Sequence, residues 1–375
     1  MKVFLSTADA SGDLHAAAFV DALRKRVPEL DVFGLGGGAL AAAGFRPIVA
    51  QSEIAIAGLT EVLGRAPRVL GAYTRLRRAL GESRPDLAVF VDSPDLNLPL
   101  ASVAKRRGVP VLYYVSPQVW AWRAGRVRKL ARRTDQMAVI FPFEADYLRA
   151  AGVRAEFVGH PLVDRLAPLA HERDRSQLAR SLGLDPTRPV LGLLPGSRHN
   201  EVERNWPLLR ETAELVRAAL PALQVQLIVA PTLADMRFDA PSFVSIERGH
   251  SHEAMAVSTV LISAAGTATV EAAILGVPLV VAHRTSPLTF ELARRLATVS
   301  SSCMVNLIAG EGVVPERIQA QARPTALASL VSRLLRDPAA RAEMQRGLAR
   351  AVARLGPPGA AERVTDLALG LVRRA

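Results

Sequence analysis

Two loops in the second half of the chain combine residue types that suit a phosphate group. They are Leu194-Pro195-Gly196-Ser197-Arg198 and Ala265-Gly266-Thr267-Ala268-Thr269, and each follows an apolar run and precedes a helical pattern. Backbone N–H groups and the positive end of a helix dipole therefore converge where an anion would sit. Gly196 lets the backbone approach a ligand, Ser197 adds a hydroxyl, and Arg198 offers a planar fork suited to phosphate. Together the loops predict an enzyme that holds a diphosphate.

A carboxylate in the first half is the candidate for acid–base chemistry. Asp92 follows the unbroken apolar run Leu87–Val91. A carboxylate at the mouth of a central strand is half desolvated, which raises its pKa and suits it to act as a general base. The structural alternative is an Asx-turn leading into Pro94. Because Asp95 or Asn97 could fill that capping role, Asp92 is favoured as the chemical residue.

The first turn of the chain, Ser6-Thr7-Ala8-Asp9-Ala10-Ser11-Gly12-Asp13, is also rich in polar groups. Its small residues permit a tight turn, and Ser11 or Asp13 could cap a helix that begins near Leu14. Two carboxylates and a hydroxyl exceed what a cap needs. We therefore expect Asp9, Ser11, Gly12 and Asp13 to bind polar groups of a sugar or of an acyl-chain amide.

Another acid lies one turn into the helix that follows Gly266-Thr267. Glu271 could accept both hydroxyls of a ribose, or it could be an ordinary early-helix acid favoured by the helix dipole. No metal site is expected, since His250-Ser251-His252-Glu253 supplies two histidines and leaves a coordination shell incomplete. The single cysteine, Cys303, cannot form an intramolecular disulfide and is expected to be a buried small hydrophobe.

Strand-like runs alternate with amphipathic stretches, which is typical of parallel sheets built from βαβ units. A length of 375 residues, 50% of them hydrophobic, suits two α/β domains. The domains are expected at 1–164 and 165–345, with C-terminal helices at 346–375 that pack back toward the first domain. The predicted strands are Lys2–Ser6, Leu87–Val91, Val109–Val115 and Met137–Phe141 in the first sheet, and Val190–Leu194, Val225–Val229, Val260–Ser263 and Val277–Ala282 in the second.

Charge is concentrated in one place. The net charge is +12, and residues 101–134 carry nine Lys or Arg and no acid. This stretch is either a solvated helix face or a surface attracted to anionic lipid or phosphorylated substrate. Nucleic acid is not expected, because the nearby aromatics cluster in one loop instead of repeating along a face. No apolar run reaches the roughly 18 residues that span a bilayer, and we expect a cytoplasmic protein.

Taken together, these segments resemble the lipid-A-disaccharide synthase family over nearly the whole chain. The stretch Ser116-Pro117-Gln118-Val119-Trp120-Ala121-Trp122-Arg123 is the most specific. The others are Ala10–Asp13, Val91–Asn97, Phe141–Glu144, Val158–Asp164, Leu193–Arg198, Gly266–Ala268 and Asn306–Gly310.

The resemblance implies a GT-B fold, with two Rossmann-like doubly wound parallel-sheet domains facing a central cleft. It implies an inverting transfer from UDP-2,3-diacylglucosamine to the 6-hydroxyl of 2,3-diacylglucosamine 1-phosphate, without cofactors. Asp92 would be the base, and Arg198, the amides near Gly196 and Gly266, and Asn306 would hold the departing diphosphate. The remaining implied contacts are Ser197, Thr267, Ala268 and Glu271 for the donor and Ser116, Trp120 and Arg123 for the acceptor. No Asp-x-Asp motif occurs, which fits a metal-independent transferase.

Acylated, phosphorylated substrates would bring such an enzyme to the inner face of the cytoplasmic membrane. The basic stretch and the apolar run Ile54–Leu59 could supply two weak binding signals. The alternative for the run is a core helix or strand. Acyl-chain contacts are expected within residues 51–64, and a homodimer is left open.

Three other functions remain as rivals. Gly34–Ala39 formally fits a dinucleotide fingerprint with Glu53 placed for a ribose, but only Val32-Phe33 precede it as strand. A UDP-GlcNAc-dependent GT-B transferase or epimerase with an unacylated substrate is the second, and a basic membrane- or nucleic-acid-binding module is the third.

Two residues depart from the family pattern, since Asp9 stands where glutamate is usual and Val305 where proline is common.

Overall fold

The computed structural model describes residues 1–54, 62–122, 125, 127–170, 174–296 and 301–374. The chain forms two compact units, Met1–Pro161 with Gly356–Ala375, and Leu162–Leu355. Each unit contains one sheet whose paired strands are all parallel, which confirms the predicted fold class. Arg123 and most of the apolar run Ile54–Leu59 lie outside the described residues.

The first unit has a seven-stranded sheet. Its strands are β1 (Lys2–Thr7), β2 (Asp31–Gly36), β3 (Arg46–Ala50), β4 (Leu87–Val91), β5 (Val111–Tyr114), β6 (Gln136–Val139) and β7 (Ala155–Phe157), in the order β3-β2-β1-β4-β5-β6-β7. Its helices are α1 (Ala10–Arg26), α2 (Gly38–Ala42), α3 (Gln51–Ile54), α4 (Val62–Ser83), α5 (Pro94–Arg106), α6 (Val119–Trp122), α7 (Val127–Arg133) and α8 (Pro142–Ala150), together with the last helix of the chain, α18 (Ala360–Val372).

The second unit has a six-stranded sheet in the order β10-β9-β8-β11-β12-β13. The strands are β8 (Val190–Leu194), β9 (Gln224–Ile228), β10 (Val244–Glu247), β11 (Val260–Ser263), β12 (Leu279–His283) and β13 (Glu316–Ile318). The helices are α9 (Pro161–Ala170), α10 (Arg175–Ser181), α11 (His199–Ala219), α12 (Ser251–Val257), α13 (Thr267–Ile274), α14 (Pro287–Leu296), α15 (Met304–Ala309), α16 (Pro324–Arg336) and α17 (Pro338–Ala353).

Helices cover both faces of the first sheet, which explains why its central strands are continuous apolar runs. Every residue of β4 is buried. One face packs against α4, α5 and α7 in a single hydrophobic core, and the other carries α1 and α18. In a half-exposed strand, apolar residues alternate with polar ones. A strand buried on both faces lacks this alternation, because neither face meets solvent.

The strands that the sequence did not predict are short, polar or interrupted. β2 contains Gly34 and Gly36, which break its apolar pattern. β3, β7, β10 and β13 lie at the edges of the sheets and contain three to five residues each. Such segments bury little apolar surface, so neighbouring strands, and not local pattern, determine their structure.

The C-terminal segment divides between the two units. Residues 346–355 remain in the second unit, within or directly after α17, whereas α18 belongs to the first unit. There Arg26 pairs with Asp366 at 3.1 Å, and Arg363 donates to the carbonyl of Val158 at 2.7 Å. The first unit therefore contains both ends of the chain. Within the described ranges, no helix has the length and apolar character needed to cross a bilayer.

Candidate functional site

Asp92 lies in a strained turn at the carboxyl end of β4. Asp92 and Ser93 both have a φ of 45°, and Val115, at the end of the neighbouring β5, has a φ of 61°. Left-handed backbone is uncommon for residues other than glycine, and three such residues on adjacent strands need support from their surroundings.

Two side chains hold the carbonyl of Asp92. The Asn97 amide donates to it at 2.9 Å and also to the carbonyl of Val91 at 3.0 Å, while the Tyr113 hydroxyl donates to it at 2.5 Å. Asn97 further accepts from the Ser6 hydroxyl at 2.7 Å, which ties β1 to β4. Asn97 is thus a buried link between strands and not a turn-capping residue, because α5 begins earlier, at Pro94.

The environment of the Asp92 carboxyl favours its neutral form. Burial, and to a smaller extent the charge of Asp9, raise the pKa of this carboxyl to about 7, although a backbone hydrogen bond from Ser93 opposes the shift. A carboxyl group with a pKa near neutrality is present as base and as acid in comparable amounts, which suits it to exchange protons with a substrate.

Asp9 approaches Asp92 from the end of β1, which is paired with β4. Its carboxylate caps α1 by accepting from the Gly12 N–H at 2.7 Å, and it also accepts from the Ser93 hydroxyl at 3.2 Å. The expectation that Ser11 or Asp13 caps a helix beginning near Leu14 is therefore wrong. Because Asp9 supplies the cap, the helix begins four residues earlier, at Ala10, and Ser11 lies exposed in its first turn.

Gly12 and Asp13 shape the loops around this turn. A Cβ atom on Gly12 would lie 2.3 Å from the Thr7 hydroxyl, so only glycine fits there. Asp13 is buried, and its two carboxylate oxygens accept from the N–H groups of Gly37 at 2.6 Å and Ala39 at 2.8 Å. Asp13 thereby fastens α1 to the loop between β2 and α2.

Glu144 is a buried acid in the first turn of α8, which follows β6, and the sequence reasoning did not assign it to the site. It accepts from the Trp120 indole N–H at 2.9 Å and from the Phe141 N–H at 3.1 Å. Burial, with a smaller contribution from the charge of Asp92, raises the pKa of Glu144 to about 8, although hydrogen bonds from the N–H groups of Trp120, Phe141 and Ile140 oppose the shift. A glutamate three residues after the cap of α8 is a common capping pattern, so sequence alone suggested only a structural role.

Two buried histidines continue this cluster. The rings of His15 and His160 lie 6.5 Å apart, and His160 lies 5.1 Å from Phe141. Burial lowers the pKa of His160 to about 3, with His15 adding to the effect, so His160 is neutral near pH 7.

Trp120 is buried with its ring edge-to-face on Phe143, at 4.8 Å between ring centroids. Ser116 is also buried, and its hydroxyl donates to the carbonyl of Pro117.

In the second unit, the Pro195–Arg198 loop leads from β8 into α11. Gly196 has a φ of 136°, and the side chains of Ser197 and Arg198 are exposed at the helix start. Glu201 closes the loop, since its carboxylate accepts from the Ser197 N–H at 3.0 Å and from the Arg198 guanidinium at 2.8 Å. The sequence reasoning did not single out Glu201.

The second phosphate-type loop leads from β11 into α13. Gly266 precedes the helix with a φ of 143°, Thr267 is exposed, and Ala268 is half-buried. Glu271 lies 3.3 Å from Nε2 of His252, so the acid expected at a ribose already has an imidazole neighbour. Both loops lie at the carboxyl edge of one sheet, because β8 and β11 are paired.

Asn306 is fully engaged inside the second unit. Its side chain exchanges two hydrogen bonds with the backbone of Val314, each at 2.8 Å, and donates to Glu316 at 2.8 Å. Burial alone would raise the pKa of Glu316, but hydrogen bonds from Ser301, Ser302 and Asn306 outweigh it and lower the pKa. Cys303 is buried, as expected.

The chain matches the family model of lipid-A-disaccharide synthetase over residues 3–364. It is 42% identical to the lipid-A-disaccharide synthase of Geobacter metallireducens, over 99% of this chain and 97% of that protein. This chain belongs to the lipid-A-disaccharide synthase family. Membership places it in lipid A disaccharide synthesis and among the hexosyltransferases, in agreement with the resemblance found in the sequence.

Solved structures share the fold of this lipid-A-disaccharide synthase family member. The UDP-GlcNAc 2-epimerase of Neisseria meningitidis, bound to UDP-GlcNAc, superimposes with a TM-score of 0.67 at 12% identity over 100% of both chains. The calicheamicin glycosyltransferase CalG4 gives a TM-score of 0.62 at 18% identity, covering 100% of this chain and 98% of the other. At these identities the likeness shows a GT-B-like fold. In the part of the chain that the structure describes, no group of three or more His, Cys, Asp or Glu side chains is arranged to hold a metal ion.

The Asp92 carboxyl is expected to titrate near pH 7. We predict that carboxyl carbon chemical shifts of aspartate-labelled protein show a midpoint near 7 for Asp92. Asp9→Asn should lower that midpoint, because it removes a neighbouring negative charge while asparagine still caps α1. Asp21→Asn, on the exposed side of the same helix, is the control and should leave the midpoint in place. A midpoint near 4 in the unmodified protein would show that the carboxyl is not desolvated.

Proposed function

We propose that the protein transfers the 2,3-diacylglucosamine unit of UDP-2,3-diacylglucosamine to the 6-hydroxyl of 2,3-diacylglucosamine 1-phosphate. The products are a β-1,6-linked disaccharide 1-phosphate and UDP, with inversion at the anomeric carbon. Family membership supports the reaction class. The observation that carries the mechanism is the Asp92 carboxyl, fixed at the end of β4 with a pKa of about 7.

Asp92 is the proposed base in a single displacement. The acceptor oxygen forms a bond to the anomeric carbon as the bond from that carbon to the diphosphate oxygen breaks. The acceptor proton passes to Asp92, and the electron pair leaves with UDP. A base positioned in this way contributes about 10² to 10⁴-fold to the rate. The fixed backbone of Asp92 contributes by holding the carboxylate in one place.

The departing diphosphate is assigned to the two loops of the second unit. The N–H groups after Gly196 and Gly266 and the side chains of Ser197, Arg198 and Thr267 offer positive or donor groups at two helix starts. Each donor aimed at a developing charge is typically worth about 3–4 kcal/mol. We propose that Arg198 and the helix starts act without a divalent ion. Ala268 and Glu271 would complete the nucleotide contacts.

The acceptor is assigned to the first unit, within the proposed domain 1–164, and the donor to 165–345. Asp9 lies near Asp92, and Ser11 is exposed in the first turn of α1. Trp120, which is buried, and Arg123, which lies outside the described residues, stay assigned to the acceptor from the family resemblance. Gly12, Asp13 and Ser116 are buried in the loops around the Asp92 turn. We assign them to supporting these loops and not to direct contact with the acceptor. We assign Asn306 to ordering the segment before α15, since its amide is occupied by Val314 and Glu316.

Peripheral attachment to the inner face of the cytoplasmic membrane would bring the enzyme to its acylated substrates. The neighbouring helices α5 and α7 carry exposed cations at or near their ends, namely Arg106, Arg107, Arg128, Lys129 and Arg132. Each cation near an anionic surface contributes about 1 kcal/mol. The cationic side chains together with acyl-chain contacts in residues 51–64 would supply two weak signals.

The transfer assay tests the proposed reaction. Mass spectrometry should detect the tetraacylated disaccharide phosphate when both acylated substrates are present, and no disaccharide when UDP-GlcNAc replaces the acylated donor.

Two variants test the assigned roles of Asp92 and Arg198. Asp92→Asn should lower kcat by at least about 10²-fold with UDP affinity unchanged, because the amide cannot accept the proton. Arg198→Ala should weaken UDP binding by about tenfold or more, because it removes a charged hydrogen bond.

Two surface variants serve as controls for this assay. Asp21→Asn and Arg180→Ala make the same charge changes at exposed positions and should behave like the unmodified protein. Loss of UDP binding in Asp92→Asn would reverse the assignment of donor and acceptor to the two units. Equal transfer from UDP-GlcNAc would identify the enzyme as one that uses an unacylated donor.

Vesicle binding tests the membrane assignment. The pair Arg128→Gln and Lys129→Gln should weaken binding to phosphatidylglycerol vesicles by about tenfold or more, and added salt should weaken binding of the unmodified protein. Arg180→Gln with Arg237→Gln removes two exposed cations from the second unit as a matched control. Equal loss in both pairs would mean that net charge, and not the α7 surface, governs attachment.

A further inference from the structure

Two donor groups of the Pro195–Arg198 loop are occupied by a carboxylate of the protein itself. Glu201 accepts from the Ser197 N–H at 3.0 Å through one oxygen and from the Arg198 guanidinium at 2.8 Å through the other. The carboxylate is packed into the loop, since a Cβ atom on Gly196 would lie 2.8 Å from a Glu201 oxygen. An acid in the first turn of α11 is also stabilised by the helix dipole.

A phosphate group would need the same donors. Backbone N–H groups at a helix start and an arginine fork bind phosphate for the reasons that they bind a carboxylate, namely charge and hydrogen-bond geometry. Two anions cannot share these donors without strong repulsion. A backbone N–H has one hydrogen to donate, so a diphosphate that accepts from the Ser197 N–H has to displace Glu201 from it.

The structure also offers a place for the displaced carboxylate. Asn205 lies one turn after Glu201 on the same face of α11, and it joins the carbonyl of Pro195 at 3.1 Å to the N–H of Arg284 at 2.7 Å. His283 directly precedes Arg284 at the end of β12. Among the described residues, Nδ1 of His283 is buried without a hydrogen-bond partner. Burial lowers the pKa of His283, and the nearby charge of Glu201 opposes this shift.

We propose that the Glu201 carboxylate is an internal competitor for the phosphate-binding loop. A nucleoside diphosphate binds by displacing it from Ser197 and Arg198 toward Nδ1 of His283, and its return helps the product UDP to leave. This inference rests on the proposed function, because it assumes that the Arg198 loop receives the diphosphate of UDP. Glu201 would thus set the balance between donor binding and product release without touching the reacting atoms.

Calorimetric titration with UDP tests the competition. Glu201→Gln should bind UDP about tenfold more tightly, since a neutral amide gives up the loop more easily than a carboxylate. Uridine, which lacks phosphate, should bind both proteins equally. Glu203→Gln removes an exposed charge two residues along the same helix and should leave UDP affinity unchanged. If Glu201 only supports the loop, its replacement should weaken UDP binding instead.

A double-mutant cycle tests the second position of the carboxylate. When Glu201 is intact, His283→Leu should weaken UDP binding about fivefold, because the displaced carboxylate loses its alternative partner. In the Glu201→Gln background the same change should have no effect. If His283 instead touched the nucleotide directly, the loss would persist in that background and the proposed movement would be overturned.

The remaining outcomes separate this inference from the function on which it rests. If Arg198→Ala weakens UDP binding but Glu201→Gln leaves it unchanged or weaker, the competition is overturned and the assignment of the loop to UDP stands. If neither the unmodified protein nor Glu201→Gln binds UDP, both are overturned. Thermal unfolding of each variant shows whether a lower affinity comes from loss of the fold.

Discussion

The proposed chemistry depends on how the carbonyl of Asp92 is held. Asn97 and Tyr113 both donate to this one oxygen, which allows two consecutive residues to remain in left-handed backbone at the end of a buried strand. Each such residue costs about 1–3 kcal/mol, and buried hydrogen bonds from neighbouring elements offset that cost. The turn that these bonds support holds Asp92 near enough to Asp9 for the charge of Asp9 to raise its pKa.

The carboxyl edges of the two sheets differ in their electrostatic environment. At the carboxyl edge of the first sheet, burial and neighbouring acids disfavour charge, so Asp92 and Glu144 have raised pKa values. At the corresponding edge of the second sheet, two helix starts and Arg198 favour an anion, and the Glu201 carboxylate already accepts from the Ser197 N–H and from Arg198 at one of those starts. One edge is suited to take up a proton, and the other to receive negative charge. A glycosyl transfer that releases a diphosphate needs both.

The sequence predicted those parts of the fold whose signal is local. β4, β8 and β11 have the predicted bounds because each is a short apolar run ended by a polar or glycine turn. β2 was missed because glycines interrupt it, and the edge strands were missed because partners in the sheet decide them. The sequence also predicted that Asp92 directly follows a buried strand, and its role as a base stays a prediction. Glu144 and Glu201 were not recognised, because an early-helix acid has an ordinary local explanation and only the fold shows what its carboxylate contacts.

The pH dependence of kcat/KM for disaccharide formation tests the central claim most directly. If Asp92 is the base, the rate should fall tenfold per pH unit below about 7, because protonation removes the base. Asp9→Asn should move this acid limb to lower pH, in step with the lowered pKa of Asp92. An acid limb that stays in place in Asp9→Asn, or that lies near pH 4 in the unmodified enzyme, would contradict the assignment of Asp92 as the group that takes the acceptor proton.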